Sequence, residues 1–170
     1  DRADGADATL ALPASRTAIR AALEVCIGGK ARSAPALPRQ GRVLVAEDNS
    51  VSRTLLQRLL ERAGWRVTTA EDGARTVHAA EHDGPFDVVL MDVQMPVMDG
   101  IAATRAIRAL GGAAGLVPIV AVTAFALPSD RDRCLSAGMD GFLTKPVDPD
   151  ALFAVLERLT GISATTAASR

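Results

Sequence analysis

The sequence has no tyrosine and few aromatics of any kind, 3% of its 170 residues. An aromatic in a functional position therefore has no phenolic hydroxyl to offer. Only two cysteines occur, Cys26 and Cys134, and they carry no metal-ligand spacing. Free buried thiols in a reducing compartment are the expected state, which points to a cytoplasmic protein. No charge sign dominates: 19 Lys and Arg face 20 Asp and Glu, for a net charge of -1. That balance gives no support to a nucleic-acid-binding face. No apolar run approaches the ~18 residues a membrane span needs, and no signal peptide is apparent. Direct contact with a membrane is not expected of this chain. It opens on Asp1 without a methionine, as expected of a piece of a longer protein.

What is present is the composition of a globular domain, 48% apolar and 23% charged. The length suits one domain with room for appended segments. From Gly41 onward strands and helices alternate five times. The pattern predicts strands near 42-46, 65-69, 86-91, 117-122 and 140-144, and helices near 50-63, 73-82, 99-110, 128-137 and 149-159. The first, third and fourth strands are near-continuous apolar runs, as in a sheet covered on both faces. The second, Trp65-Arg-Val-Thr-Thr69, is more polar and suits an edge. Gly64, Gly111 and Gly138 follow helix ends, where a left-handed residue is wanted. Asp148 before Pro149 reads as an N-cap with proline at the first helical position. A right-handed βα repeat of this size predicts an α/β fold, a flavodoxin-like doubly wound five-stranded parallel sheet of order 2-1-3-4-5 with helices on both faces.

Residues 1-40 differ. Asp1 to Thr9 has little to bury, Ala31 to Gln40 reads as a linker, and Ser15 to Ile27 has one apolar helical face. A shift of 133 residues lays this segment on the end of the main domain, with Pro13 on Pro146, Leu23 on Leu156 and Gly28 on Gly161. It is either the last helix of a preceding domain of the same fold or an ordinary amphipathic helix. In the first case that copy carries Leu12 where the main domain has Lys145. Residues 161-170 form a polar tail, so no output domain follows within the chain.

The chemistry lies at the strand ends. The first strand leads into Glu47-Asp48, the third ends at Asp92, the fourth leads into Thr123 and the fifth into Lys145-Pro146. In a parallel sheet all of these share the carboxyl edge, where open α/β sheets bind their ligands. Crowding Glu47, Asp48 and Asp92 would raise the pKa of at least one of them. A bound Mg²⁺, which takes carboxylates, water and phosphate oxygens, removes the conflict. Asp92 can then attack phosphorus and form an acyl phosphate. Lys145 supplies a charge for a phosphoryl oxygen and Thr123 a hydrogen bond. Each residue alone could be an ordinary strand-end polar group, but chance seldom places all of them on one edge.

The motifs Val-Leu-Val-Ala-Glu47-Asp48-Asn49, Met91-Asp92-Val-Gln94-Met-Pro96-Val-Met-Asp99-Gly100, Val122-Thr123-Ala124 and Lys145-Pro146, in that order, resemble those of response-regulator receiver domains of two-component signalling. The wording around Asp92 is most similar to receivers of hybrid histidine kinases. The resemblance covers about 41-160. It implies Asp92 as phosphoacceptor, Glu47, Asp48 and Asp92 as the Mg²⁺ site with the backbone carbonyl of Gln94, and Thr123 and Lys145 as phosphoryl contacts. It also implies a cis Lys145-Pro146 bond and a switch pairing Thr123 with Phe142, although Phe142 could equally be core. The implied partners are the phosphohistidine domain of a histidine kinase, on a parent that would be a hybrid sensor kinase, and a histidine phosphotransfer protein.

Two competing classes carry less. A phosphorylation-independent interaction module would be expected to lose acids or lysine, and all are kept here. A haloacid-dehalogenase-type hydrolase wants an acid two residues after the nucleophile, where this chain has Gln94. His78 and His82 lie one helical turn apart, but without a third ligand a solvated face is the better reading. Met91, Met95 and Met98 read as packing and loop residues.

Overall fold

The computed structural model describes residues 40–124 and 128–163, with only the backbone of Pro128 and Ser129. Segments expected within residues 1-39, including the helix near 15-27 with Cys26, lie outside the described residues, as does the end of the polar tail.

The elements follow in the order β1 (Arg42–Ala46), α1 (Ser50–Arg62), β2 (Arg66–Ala70), α2 (Gly73–His82), β3 (Val88–Asp92), α3 (Gly100–Leu110), α4 (Gly112–Leu116), β4 (Ile119–Thr123), α5 (Pro128–Ala137), β5 (Gly141–Thr144) and α6 (Pro149–Thr160). All strand pairs are parallel, in the order β2-β1-β3-β4-β5. The apolar runs explain the order: every residue of β3 and β4 is buried, whereas β2 and β5 at the edges include exposed and half-buried positions.

Side-chain alternation along the strands divides the core in two. Leu44, Val89, Met91, Ile119 and Ala121 face α2, α3 and α5, meeting Ala79, Ile107, Cys134 and Ala137. Val43, Val45, Leu90, Val120 and Val122 face α1 and α6, meeting Leu56, Leu60, Leu152 and Leu156. Helix starts are fixed by side-chain caps from Asn49, Asp72, Asp99 and Asp148.

Some boundaries move. β2, β3 and β4 begin one or two residues later than the apolar pattern suggests and end one later, at Ala70, Asp92 and Thr123. For β4 the reason is Pro118, which lacks an N–H for the ladder; its carbonyl accepts from Val89 N at 2.8 Å. The helix expected from 99 starts at Gly100, because Asp99 is its cap and accepts from Ala102 N. The short helix α4 is not announced by the sequence, since Gly-Ala-Ala-Gly-Leu has no readable periodicity. Its carbonyls are instead held from outside, where Arg108 donates to Gly115 O and Val117 O at 3.1 and 2.7 Å.

Candidate functional site

The first two acids come from the loop between β1 and α1. Glu47 follows the last residue of β1, and its N–H bonds Ala70 O at 3.1 Å, extending the pairing with β2 by one residue. That leaves its side chain 1% exposed under the carboxyl edge, while Asp48, at the bend, stays exposed. Asn49 then caps α1 by accepting from Val51 N and Ser52 N, both at 3.0 Å.

Asp92 ends β3 and is 4% exposed. The chain turns away immediately: Gln94 N donates to Asp92 Oδ1 at 3.0 Å, and Gly100 N bonds Val93 O at 3.0 Å. This return needs glycine at 100, because a Cβ there would stand 2.1 Å from the carbonyl oxygen of Asp92. The loop tip carries Val97 at φ 66°, with Met98 N bonded to Pro96 O at 2.7 Å across it. A β-branched residue in that left-handed γ-turn is strained.

Lys145 arrives from β5. Its N–H bonds Thr123 O at 2.8 Å, and the Lys145-Pro146 peptide is cis. Its Nζ donates to Asp92 Oδ2 at 2.5 Å and to Glu47 Oε1 at 2.9 Å. Glu47 Oε2 also lies 2.7 Å from Nζ, but off the hydrogen-bonding direction, so this buried oxygen has no hydrogen-bond partner. Burial pushes the Glu47 carboxyl above its ordinary range, with the Asp92 charge adding to it and Lys145 pulling the other way. For Lys145, burial lowers the ammonium's pKa, but hydrogen bonds to Asp92 and Glu47 outweigh it and raise it overall. The lysine is therefore a fixed positive charge.

One ammonium does not balance three acids. Glu47, Asp48 and Asp92 offer oxygens that all lie within 4.8 Å of one another, the only such group of three His, Cys, Asp or Glu among the described residues. Hard oxygen donors, surplus negative charge and a buried carboxylate oxygen without a hydrogen bond together fit a small divalent cation such as Mg²⁺. Thr123, 2% exposed, ends the neighbouring strand, where Asp92 pairs in register with Val122. Phe142 is half-buried and packs against the α2/α3/α5 side of the core. His78 and His82 stack at 4.3 Å between ring centroids and belong to no group of three candidate metal ligands among the described residues. Met91 is core, Met95 and Met98 pack against it, and Cys134 is a buried free thiol.

Two arginines escaped the sequence reading. Arg53 Nη1 donates to the carbonyls of both Glu47 and Asp48, at 2.7 and 3.0 Å. Arg108 pairs with Asp140 at 2.8 Å at the opposite edge of the sheet. A lone basic residue on a helix gives no sequence signal of such a reach.

Residues 43–157 match the family described as the response regulator receiver domain. Sensor protein GacS of Pseudomonas syringae pv. syringae is 40% identical over 159 residues, covering 90% of this chain, which spans 17% of that relative's length. The receiver domain of the Pseudomonas aeruginosa sensor histidine kinase PA1611, solved with a magnesium ion in its active site cleft, is 42% identical, with a TM-score of 0.67 over 72% of this chain and 99% of that one. The Saccharomyces cerevisiae receiver domain of Ssk1, solved with the histidine phosphotransfer protein Ypd1, is 27% identical, with a TM-score of 0.67 over 78% and 97%.

Proposed function

The chain belongs to the response regulator receiver domain family, and from that premise we propose that it accepts a phosphoryl group on Asp92 from a phosphohistidine and passes it to, or takes it from, a histidine phosphotransfer protein. The supporting observation is the meeting of one buried strand-end carboxylate with a lysine at 2.5 Å and two further acids.

Asp92 attacks phosphorus with a carboxylate oxygen, the P–N bond to the donor histidine breaks, and its electron pair returns to the imidazole. Gln94 N holds Asp92 Oδ1, which orients the carboxylate at the rim. Lys145 leaves Oδ2 for a phosphoryl oxygen, and the Thr123 hydroxyl donates to another. Mg²⁺ would be held by Glu47, Asp48, Asp92 and the carbonyl of Gln94, and when bound it supplies charge neutralisation for the acids and the transferred group. Phe142 then moves into space vacated by Thr123, altering the face made by α5, β5 and α6.

The donor in this reading is the phosphohistidine domain of a histidine kinase, on a parent that is itself a hybrid sensor kinase. Such a donor is charged from ATP, which places the domain in the cytoplasm. No helix among the described residues is long and apolar enough to cross a membrane. Residues 41-160 form the receiver, with 1-40 as a separate segment and linker. Acetyl phosphate with Mg²⁺, followed by intact mass, tests the reading: one phosphoryl adduct is expected, absent in Asp92→Asn. An undiminished adduct in that variant overturns the assignment.

A further inference from the structure

We propose that Arg53 is a positioning residue for the metal site, holding the Glu47–Asp48 backbone so that the two acids keep their ligating spacing. The inference rests on the phosphoacceptor reading only in taking the acid cluster as a metal site. In extended chain, successive carbonyls point to opposite sides. Here the carbonyls of Glu47 and Asp48 both accept from one nitrogen, Arg53 Nη1, at 2.7 and 3.0 Å. A bend at Asp48 brings them to the same side, and nothing in the residue types alone fixes that bend.

The reach follows from helix geometry. Arg53 is four residues past the cap Asn49, and its N–H closes the first turn on Asn49 O at 2.9 Å. Side chains on a helix lean toward its N-terminus, so an arginine here lies back over the loop that precedes α1. Its side chain is 20% exposed, and Nη2 is 4.0 Å from Glu71 Oε2 in the loop after β2. Glu71 in turn pairs with Arg75. The guanidinium is thus directed from both sides, and a flexible side chain becomes a fixed clamp.

The clamp and the charge of Arg53 have opposite consequences for a cation. As a charge, the guanidinium repels Mg²⁺, and its removal tightens binding. As a clamp, it keeps Glu47 and Asp48 aimed, and its removal weakens binding. The sign of one measurement separates the two.

The test is Mg²⁺ calorimetry on the unphosphorylated chain, with Arg53→Ala and Arg53→Lys. Loss of a group that orients metal ligands typically weakens binding 10-fold or more, so Arg53→Ala is expected to raise the Mg²⁺ Kd about tenfold. Its thermal midpoint in EDTA stays near that of the unaltered protein. Arg53→Lys keeps the charge and one donor group, and recovers part of the affinity. Acetyl phosphate labelling of Arg53→Ala shifts to higher half-saturating Mg²⁺. Unchanged or tighter Mg²⁺ binding in Arg53→Ala overturns the proposal, as does a loss of affinity that only tracks a lowered midpoint in EDTA. Calorimetry needs no phosphoryl transfer, so failure of Asp92 to label in the unaltered protein would sink the phosphoacceptor reading and leave this result interpretable.

Discussion

At the amino edge of the sheet, Arg108 and Asp140 form a part-buried ion pair, with side chains 7% and 12% exposed. Arg108 also donates to the carbonyls of Gly138, Gly115 and Val117, and Asp140 Oδ2 accepts from Ile119 N at 2.9 Å. At the carboxyl edge Lys145 faces Glu47 and Asp92, with Asp48 alongside, and one buried oxygen of Glu47 lacks a hydrogen bond. Both edges hold charge away from solvent, yet one balances a cation against a single acid, whereas the other gathers three acids near one lysine. The amino edge ties α3, α4, β4 and β5 together. The carboxyl edge is left short of positive charge, and that shortage favours a cation, which would in turn offset the negative charge of an incoming phosphoryl group.

Breaking the amino-edge pair has the largest expected effect on stability. Arg108→Ala leaves the Asp140 carboxylate with only its bond from Ile119 N and takes a donor from three carbonyls. Removing one partner of a part-buried pair costs less than the ~3–5 kcal/mol of a fully buried one, about 2–3 kcal/mol. Urea unfolding should show that loss, while the fraction still folded at low temperature takes phosphoryl from acetyl phosphate normally. Loss of labelling in the folded fraction would mean the edges are not independent.

The carboxyl edge should gain stability when its missing charge is supplied. Mg²⁺ at 100 times its Kd stabilises the fold by about 2.7 kcal/mol, from mass action alone. Thermal melts with Mg²⁺ and with EDTA measure this, and Asp48→Ala should lose most of the difference. Equal shifts in Asp48→Ala and the unaltered protein would place the cation elsewhere.

Neutralising an acid should act in the same direction without metal. Glu47→Gln is expected to stabilise the metal-free protein at neutral pH by about 1 kcal/mol, at the expense of Mg²⁺ binding. The Glu47 carboxyl is raised above 4.5 in the folded state. Its contribution is therefore fully present below the unfolded value and is lost as pH rises through the folded one. Stability against pH in EDTA should fall over that window in the unaltered protein and less in Glu47→Gln. A destabilised Glu47→Gln would show that Lys145 needs both acids.

The smallest effect is a probe rather than a perturbation. Cys134 precedes the turn into β5, its carbonyl bonds Met139 N at 3.1 Å, and burial pushes its thiol pKa up. With Cys26 changed to Ser, a disulfide reagent at mildly alkaline pH should label the folded protein slowly, and Arg108→Ala faster. Equal rates would mean α5 does not open with the amino edge.

The two edges were unequally legible in the sequence. Strand order, the two helix layers and the meeting of Glu47, Asp48, Asp92, Thr123 and Lys145 at one edge follow from apolar runs that end in polar residues. A parallel sheet turns that sequence regularity into proximity. Arg108 and Asp140 are 32 residues apart and end no strand, so nothing local announces their contact. Arg53 reads as one more helix-surface cation until the bend at Asp48 is seen. Val97 is the opposite kind of miss, a residue type that argues against the left-handed turn it occupies. Phe142, half in the core, was open from sequence and keeps both contacts and exposure here.

The burial of every residue in β3 and β4 sets a clock for the site. Amides in strands covered on both faces exchange with solvent only when the whole domain opens, whereas loop amides exchange through local opening. Among the described residues, Asp92 and Thr123 therefore sit on strands whose amides are expected to exchange slowly, and Asp48 and Gln94 in exposed loops whose amides are expected to exchange faster. The groups proposed to hold the phosphoryl would then be anchored on the time scale of unfolding, while the loop groups proposed to hold the ion can open locally without it.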